Sequence, residues 1–195
     1  MKLFQKLAIS FVSILALVGV FEIAQAAKPP RFAGVQSRGI RSVNYFISGS
    51  ASNIGAINSA KHNWMYTGWD NPLYMYQRGN NYETAIDFYG GAIWDGVGGV
   101  TEFYDGANRG IALNGNAPGR NFYWAKVTLN TKYRNERAMT SGTVAKHEIG
   151  HALGLAHALG NDSSSIMQPT IQKTTVRNVD KGASDKLTDV YGWYW

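Results

Sequence analysis

The apolar residues of this chain follow two rhythms, and their order along the sequence predicts the elements. Residues 41–48 (RSVNYFIS) mix β-branched and aromatic side chains in loose alternation, as a strand does. Ile54, Ile57, Ala60 and Trp64 then recur at helical spacing behind the cap-prone Ser50 and Ser52, predicting a helix of about four turns. Residues 84–89 (TAIDFY) predict a short strand. Residues 121–133 (NFYWAKVTLNTKY) predict a longer one. Tyr123, Ala125, Val127 and Leu129 should face its core side, with Phe122, Trp124, Lys126, Thr128 and Asn130 on the other. A helix capped by Thr140 or Ser141 should run through Leu153 and stop at Gly154, and a last helix over 184–191 aligns Leu187, Val190 and Tyr191 before Gly192 ends it. Residues 27–39 read as extended, because Pro29 and Pro30 oppose helix, and the glycine-rich stretch 90–119 reads as surface loop with short strands. Tyr191 and the closing Trp193, Tyr194 and Trp195 are expected to pack on the core rather than to serve a partner.

Neither rhythm holds at the start of the chain. Lys2 and Lys6 precede an apolar run over 7–21 that leads to Ala24-Gln25-Ala26, the pattern of a secretory signal peptide cleaved after Ala26. The run is shorter than the roughly 20 residues a membrane span requires. The expectation is therefore a leader over 1–26 and one domain over 27–195, secreted and extracellular, with no stable membrane insertion once the leader is removed.

Composition narrows the class. At 195 residues, 45% hydrophobic and 16% charged, the chain fits one compact domain rather than a disordered segment. It has no Cys, which excludes disulfides and thiolate catalysis. Leaving out the leader's two Lys and one Glu gives a net charge of +5, spread without a dense basic run, so nucleic acid is not expected as a partner.

Three of the four His fall in one stretch, His147-Glu148-Ile149-Gly150-His151-Ala152-Leu153-Gly154-Leu155-Ala156-His157. Four residues apart on a helix, His147 and His151 lie on one face, about 6 Å apart along the axis, and can converge on one ion. Gly154 lets the chain leave the helix in a left-handed turn that brings His157 back as third ligand, leaving a fourth position for water. Glu148, beside the first ligand, is placed to take a proton from that water, whose pKa zinc lowers from about 15.7 to about 7, and to deliver it to a departing amine. The competing account, three packed or solvated His and an exposed acid, requires ligands, acid and helix-stopping Gly to fall in register by chance.

The stretch matches H-E-x-x-H-x-x-G-x-x-H and so resembles the metzincin zinc peptidases. Ser165-Ile166-Met167-Gln168-Pro169 resembles their Met-turn, in which Met167 would form an apolar floor beneath the metal. Within that clan the chain is most similar to the matrixins. Pro169 stands where other metzincins carry a further Tyr ligand, and in matrixins this Pro walls the pocket for the side chain after the cleaved bond. The resemblance implies an α+β catalytic domain, a twisted mixed β-sheet with an antiparallel edge strand, an active-site helix and a C-terminal helix. It implies one catalytic Zn2+, protein or peptide substrates bound extended along the edge strand, and a monomer. Residues 110–114 (GIALN), with Gly110, Ile111, Ala112 and Leu113 as substrate-binding residues, resemble that edge, and residues 99–104 are the rival.

Several family features have no counterpart. Without Cys there is no cysteine switch, and the remaining His62, read as a surface or packing residue, leaves too few His for a second, structural zinc. Gly182 and Ala183 stand where animal matrixins carry an Asp pair. Ca2+ is a further candidate, through Asp87, Asp95, Asp105 and loop carbonyls, although no EF-hand spacing occurs. The leading expectation is a secreted zinc-dependent endopeptidase with Glu148 as general base. Beside it stand a zinc hydrolase of cell-wall peptide crosslinks and a catalytically idle secreted binding protein, whose usual mark, a lost His or Glu, is not seen.

Overall fold

The computed structural model describes residues 26–115, 117–160, 162–170 and 174–192. The expected leader, Ala26 excepted, and the aromatic tail over 193–195 lie outside the described residues. A five-stranded sheet carries the fold, in the order β2-β1-β3-β7-β4. β1 (Val43–Ile47), β2 (Met75–Gln77), β3 (Ile86–Gly91) and β7 (Trp124–Asn130) run parallel, and β4 (Gly99–Tyr104) closes one edge antiparallel to β7. The architecture is α+β.

The alternation in β7 explains its place. Ala125, Val127 and Leu129 are buried and Trp124, Lys126 and Thr128 half-buried, so one face seals the core. Tyr123, expected on the core side, is instead 40% exposed and Phe122 is fully buried, because regular pairing begins only at Trp124. Residues 131–133, expected as strand, form a 3-10 turn. A separate hairpin joins β5 (Leu113–Asn114) to β6 (Ala117–Pro118).

Helix α1 (Ile54–Met65) buries Ala56, Ile57, Ala60 and Trp64, but Ile54 is 48% exposed because its first turn projects past the core. Asn53, not Ser50 or Ser52, precedes the helix, and its side chain donates to Arg134 O at 3.0 Å. The helix expected from Thr140 or Ser141 to Leu153 is α3 (Thr143–Ala152), which starts behind Gly142 instead, and a separate short helix, α2 (Arg137–Thr140), precedes it and ends at Ser141. Gly142 separates them at φ 72°, and a Cβ there would lie 2.7 Å from Ala56 O, so a glycine is needed where α1 and α3 approach. The indole of Trp64 donates to Lys146 O at 2.8 Å across that contact. Helix α4 (Lys181–Tyr191) starts three residues earlier than expected because Asp180 caps it, accepting from Ala183 N at 2.9 Å. Among the described residues no helix is long and apolar enough to cross a membrane.

The N-terminal segment lies along the turn after α3. Ala27 N donates to Asp162 Oδ2 at 3.1 Å, Pro30 O accepts from Ala156 N at 2.8 Å, and Phe32 N donates to Gly154 O at 2.9 Å. Tyr191 closes the same region, its hydroxyl donating to Leu153 O at 2.8 Å and accepting from Gln36 N.

A candidate metal centre in an open cleft

Helix α3 is buried over most of its surface, packed against α1 and covered by the sheet, and it brings His147, Glu148 and His151 to the floor of a cleft. The helix ends in a Schellman turn: Leu155 N donates to Gly150 O at 2.9 Å and Gly154 N to His151 O at 2.8 Å, with Gly154 at φ 91°. That turn sends the chain back so that His157 faces the two helical imidazoles. His157 is flanked by two backbone anchors, Ala156 on the N-terminal segment and Ala158, whose N–H donates to Met167 O at 2.8 Å.

The three Nε2 atoms stand 3.0, 3.2 and 3.2 Å apart. A carbonyl oxygen can only accept, so Nδ1 of His147, 2.9 Å from Ile166 O, and Nδ1 of His151, 2.8 Å from Leu155 O, carry the ring protons. Their Nε2 lone pairs therefore point at one another, an arrangement that repels unless a cation lies between them. Four-coordinate zinc with nitrogen ligands at about 2.0–2.1 Å holds them about 3.3 Å apart, close to the spacing found. Burial lowers the pKa of His147 to about 4, that of His151 well below its ordinary value and that of His157 less far, so the rings are neutral and ready to ligate. Among the described residues this is the one cluster of three or more His, Asp or Glu side chains able to share an ion.

Two further shells hold the rings. Phe32 stacks on His151, centroids 5.4 Å apart. Met167 is fully buried beneath α3, where a Cβ on Gly150 would come within 2.3 Å of its sulfur, so only glycine leaves room for it. Asp180 Oδ2 accepts from Ile166 N at 2.7 Å and from Ser165 Oγ at 3.3 Å, tying the turn that bears Met167 to α4. Ile166, held on its N–H by Asp180, presents its carbonyl to His147. Neither Asp180 nor the tie was foreseen; an Asp three residues before Ala183 is a legible cap signal that Gly182 obscured.

Glu148 is only 5% exposed, and burial raises its pKa to about 7. It lies against β4: Thr101 Oγ1 donates to Glu148 Oε2 at 2.7 Å, and a Cβ on Gly99 would fall 2.7 Å from Glu148 Cγ. Thr101 was also missed, although Gly98-Gly99 followed by Val100 and Thr101 is a readable sign of a strand approached closely by another group. A cavity of about 640 Å3 opens over these residues, with Pro169 and Thr170 on one wall and the 63% exposed Trp94 at its mouth.

The sheet edge at the cleft is β4, the rival segment, and not residues 110–114. Gly110 and Ile111 lie on the outer side of the far end of β4, Leu113 belongs to the small hairpin, and of Gly110, Ile111, Ala112 and Leu113 only Leu113 lines the cavity. Asp87, Asp95 and Asp105 do not gather. Asp87 is buried in β3 and accepts from Thr84, Asp95 pairs with Lys132, and Asp105 pairs with Arg109 and Arg120. His62 is exposed on α1 with its ring against Tyr66, remote from the other three His. The family model described as Peptidase M10, matrixin, matches residues 70–192, more than half of the chain. No curated protein matches it.

Proposed function

The chain belongs to the matrixin family of zinc-dependent peptidases, and from that premise we propose that it is a secreted endopeptidase that cuts extended protein or peptide substrates with Glu148 as general base. The observation that carries the reading is the convergence of three neutral imidazoles, with Nε2 atoms 3.0–3.2 Å apart, beside a buried carboxylate at the floor of an open cleft. His147, His151 and His157 would hold the zinc. When bound, zinc polarises the scissile carbonyl and acidifies water.

The remaining work falls to this chain's own groups. Glu148, near neutrality in its proton affinity, takes the proton of the attacking water and passes it to the departing amine nitrogen as the C–N bond breaks. The Thr101 hydroxyl keeps the carboxylate turned to the cleft. The outer side of β4 around Gly99 and Thr101, short of the end covered by Gly110 and Ile111, offers main-chain groups to an extended substrate, as an added strand. Pro169 and Val144 wall the space for the side chain that follows the cut.

The test is the purified chain over 27–195 loaded with one equivalent of zinc, assayed on casein, gelatin and crosslinked cell-wall peptides. Glu148→Ala should keep the metal and lose turnover; His151→Ala should lose both. Zinc-loaded protein that leaves every substrate intact, or a Glu148→Ala variant with unchanged turnover, removes the assignment. Release of wall fragments without protein cleavage moves it to the crosslink hydrolase.

A further inference from the structure

The face of the sheet turned away from α1 and α3 is aromatic. Lys61 of α1 lies over the Tyr45 ring and Thr101 reaches Glu148 of α3, so Tyr45, Phe88, Val127 and Thr101, which share one side of the register, point to the helices. Alternation turns their strand neighbours the other way. Each strand supplies one ring to that outer face: Tyr76 of β2, Phe46 of β1, Tyr89 of β3, Trp124 of β7 and Tyr104 of β4, all half-buried. Glu102 and Lys126 sit among them as an ion pair at 2.9 Å, with the ammonium 5.8 Å from the Tyr89 ring centroid. The cleft lies on the opposite side of β4, where Thr101 and Phe103 line it.

One end of this face holds its rings still. Trp124 and Tyr104 stack with centroids 4.0 Å apart and planes at 7°. The Trp124 indole donates to Asn108 Oδ1 at 2.8 Å, and Asn108 sits at φ 58°, a left-handed backbone that Asn tolerates better than most residues. Asp105 fixes the turn that carries Asn108: it accepts from the N–H groups of Ala107 and Arg109 and pairs with the guanidinium groups of Arg109 at 2.9 Å and Arg120 at 3.1 Å. Those two side chains stay 73% and 60% exposed over a single carboxylate, so this end of the ledge shows surplus positive charge to solvent. Arg38 adds to it, 4.9 Å from the ring centroid of the neighbouring Tyr123.

A patch of aromatic rings at a surface marks an interaction site, and the charges here choose its occupant. The core of a protein–protein interface is depleted of charge, whereas Lys126 and Glu102 lie in the middle of this face. A nucleic acid requires a dense basic stripe, which the sequence lacks. A sugar ring offers an apolar C–H face to an aromatic ring and hydroxyls to carboxylate, amide and ammonium groups, and a carboxylate on the sugar answers the exposed guanidinium groups. We infer that the outer face of the sheet binds an acidic polysaccharide, with sugar rings against Trp124 and Tyr104 and acid groups at Arg109 and Arg120. The bound polymer lies on the side of β4 opposite Glu148, so it tethers the protein without entering the cleft.

The test is binding to polygalacturonate, with its methyl-esterified form as the uncharged counterpart, read by titration calorimetry on the zinc-loaded chain over 27–195. At low salt the acidic polymer should bind about fivefold or more tighter than the ester, a margin that high salt should erase by screening. Trp124→Ala should weaken binding about tenfold or more, as loss of an aromatic anchor does, and leave peptide kcat/KM within about twofold. No binding of either polymer, an affinity unmoved by Trp124→Ala, or single-stranded DNA bound as tightly as polygalacturonate overturns the inference. So does a dimer in sedimentation that Trp124→Ala dissociates, which gives the face to a second copy of the chain. If Trp124→Ala melts early, Arg120→Gln decides: it should weaken the acidic polymer about threefold and leave the ester unchanged, and an undiminished preference for the acidic form overturns the inference. Binding needs no turnover, so its failure leaves the peptidase reading standing.

Discussion

Thr101→Val keeps the shape of a β-branched residue on β4 and takes away only the hydroxyl that donates to Glu148 Oε2 at 2.7 Å. The same oxygen lies 3.3 Å from Glu148 O, but a hydroxyl has one hydrogen, and the shorter, charge-assisted contact takes it. A hydrogen bond to a charged group is worth about 1.5–3 kcal/mol. Without it the carboxylate loses that much preference for the rotamer facing the cleft. Since about 1.36 kcal/mol is tenfold in rate, kcat should fall about tenfold to about a hundredfold. KM should hold, because Thr101 offers its backbone, not its hydroxyl, to a substrate strand. The assay is steady-state cleavage of a quenched fluorescent peptide, with zinc content and a thermal melt as controls on fold and metal. Thr101→Ser, which keeps the donor, should stay within about threefold of wild type. A Val variant within about twofold of wild type in kcat, or a Ser variant as slow as Val, refutes the positioning argument.

Gly150→Ala places a Cβ 2.3 Å from Met167 Sδ and 3.2 Å from Trp64, a cramped core that should cost about 1–3 kcal/mol and several degrees in a calorimetric melt; an unchanged melting temperature would show that Met167 moves freely. Asp180→Ala removes the α4 cap and the tie to Ile166 N, so stability should fall by about 1–2 kcal/mol and zinc loss to a chelator should speed up about tenfold or more. Zinc loss at the wild-type rate would confine Asp180 to capping. Stripping the metal exposes three converging lone pairs, so the melting temperature should rise again with added zinc, by about 2.7 kcal/mol of stability at a hundredfold excess over Kd; a melt blind to zinc would place the ion elsewhere.

The sequence made the metal cluster legible because everything that builds it is local. His147 and His151 are one helical turn apart, and Gly154 and His157 follow within the same turn out of the helix. β1, β3 and β7 were readable for the same reason, from alternation within each segment. What escaped depends on partners distant in sequence. Gly142, rather than Thr140 or Ser141, precedes α3 because Ala56 O of α1 approaches there, and β4 is an edge because β7 accepts it on one side. Residues 110–114 look as strand-like as 99–104, and the pairing of Ile111 with Phe103, rather than composition, relegates them to the outer side. β2 is three residues long, too short for any periodicity to announce it.

The strap formed by the residues just after the expected cleavage point, touching Asp162, Ala156 and Gly154 and laying Phe32 on His151, has a practical consequence for anyone handling this protein. A purification handle or a surface tether fused ahead of Ala27 joins the chain at the segment that pairs with the turn leading to the third imidazole. A dye or linker attached at the exposed start of α1, around Ile54, leaves that turn unloaded.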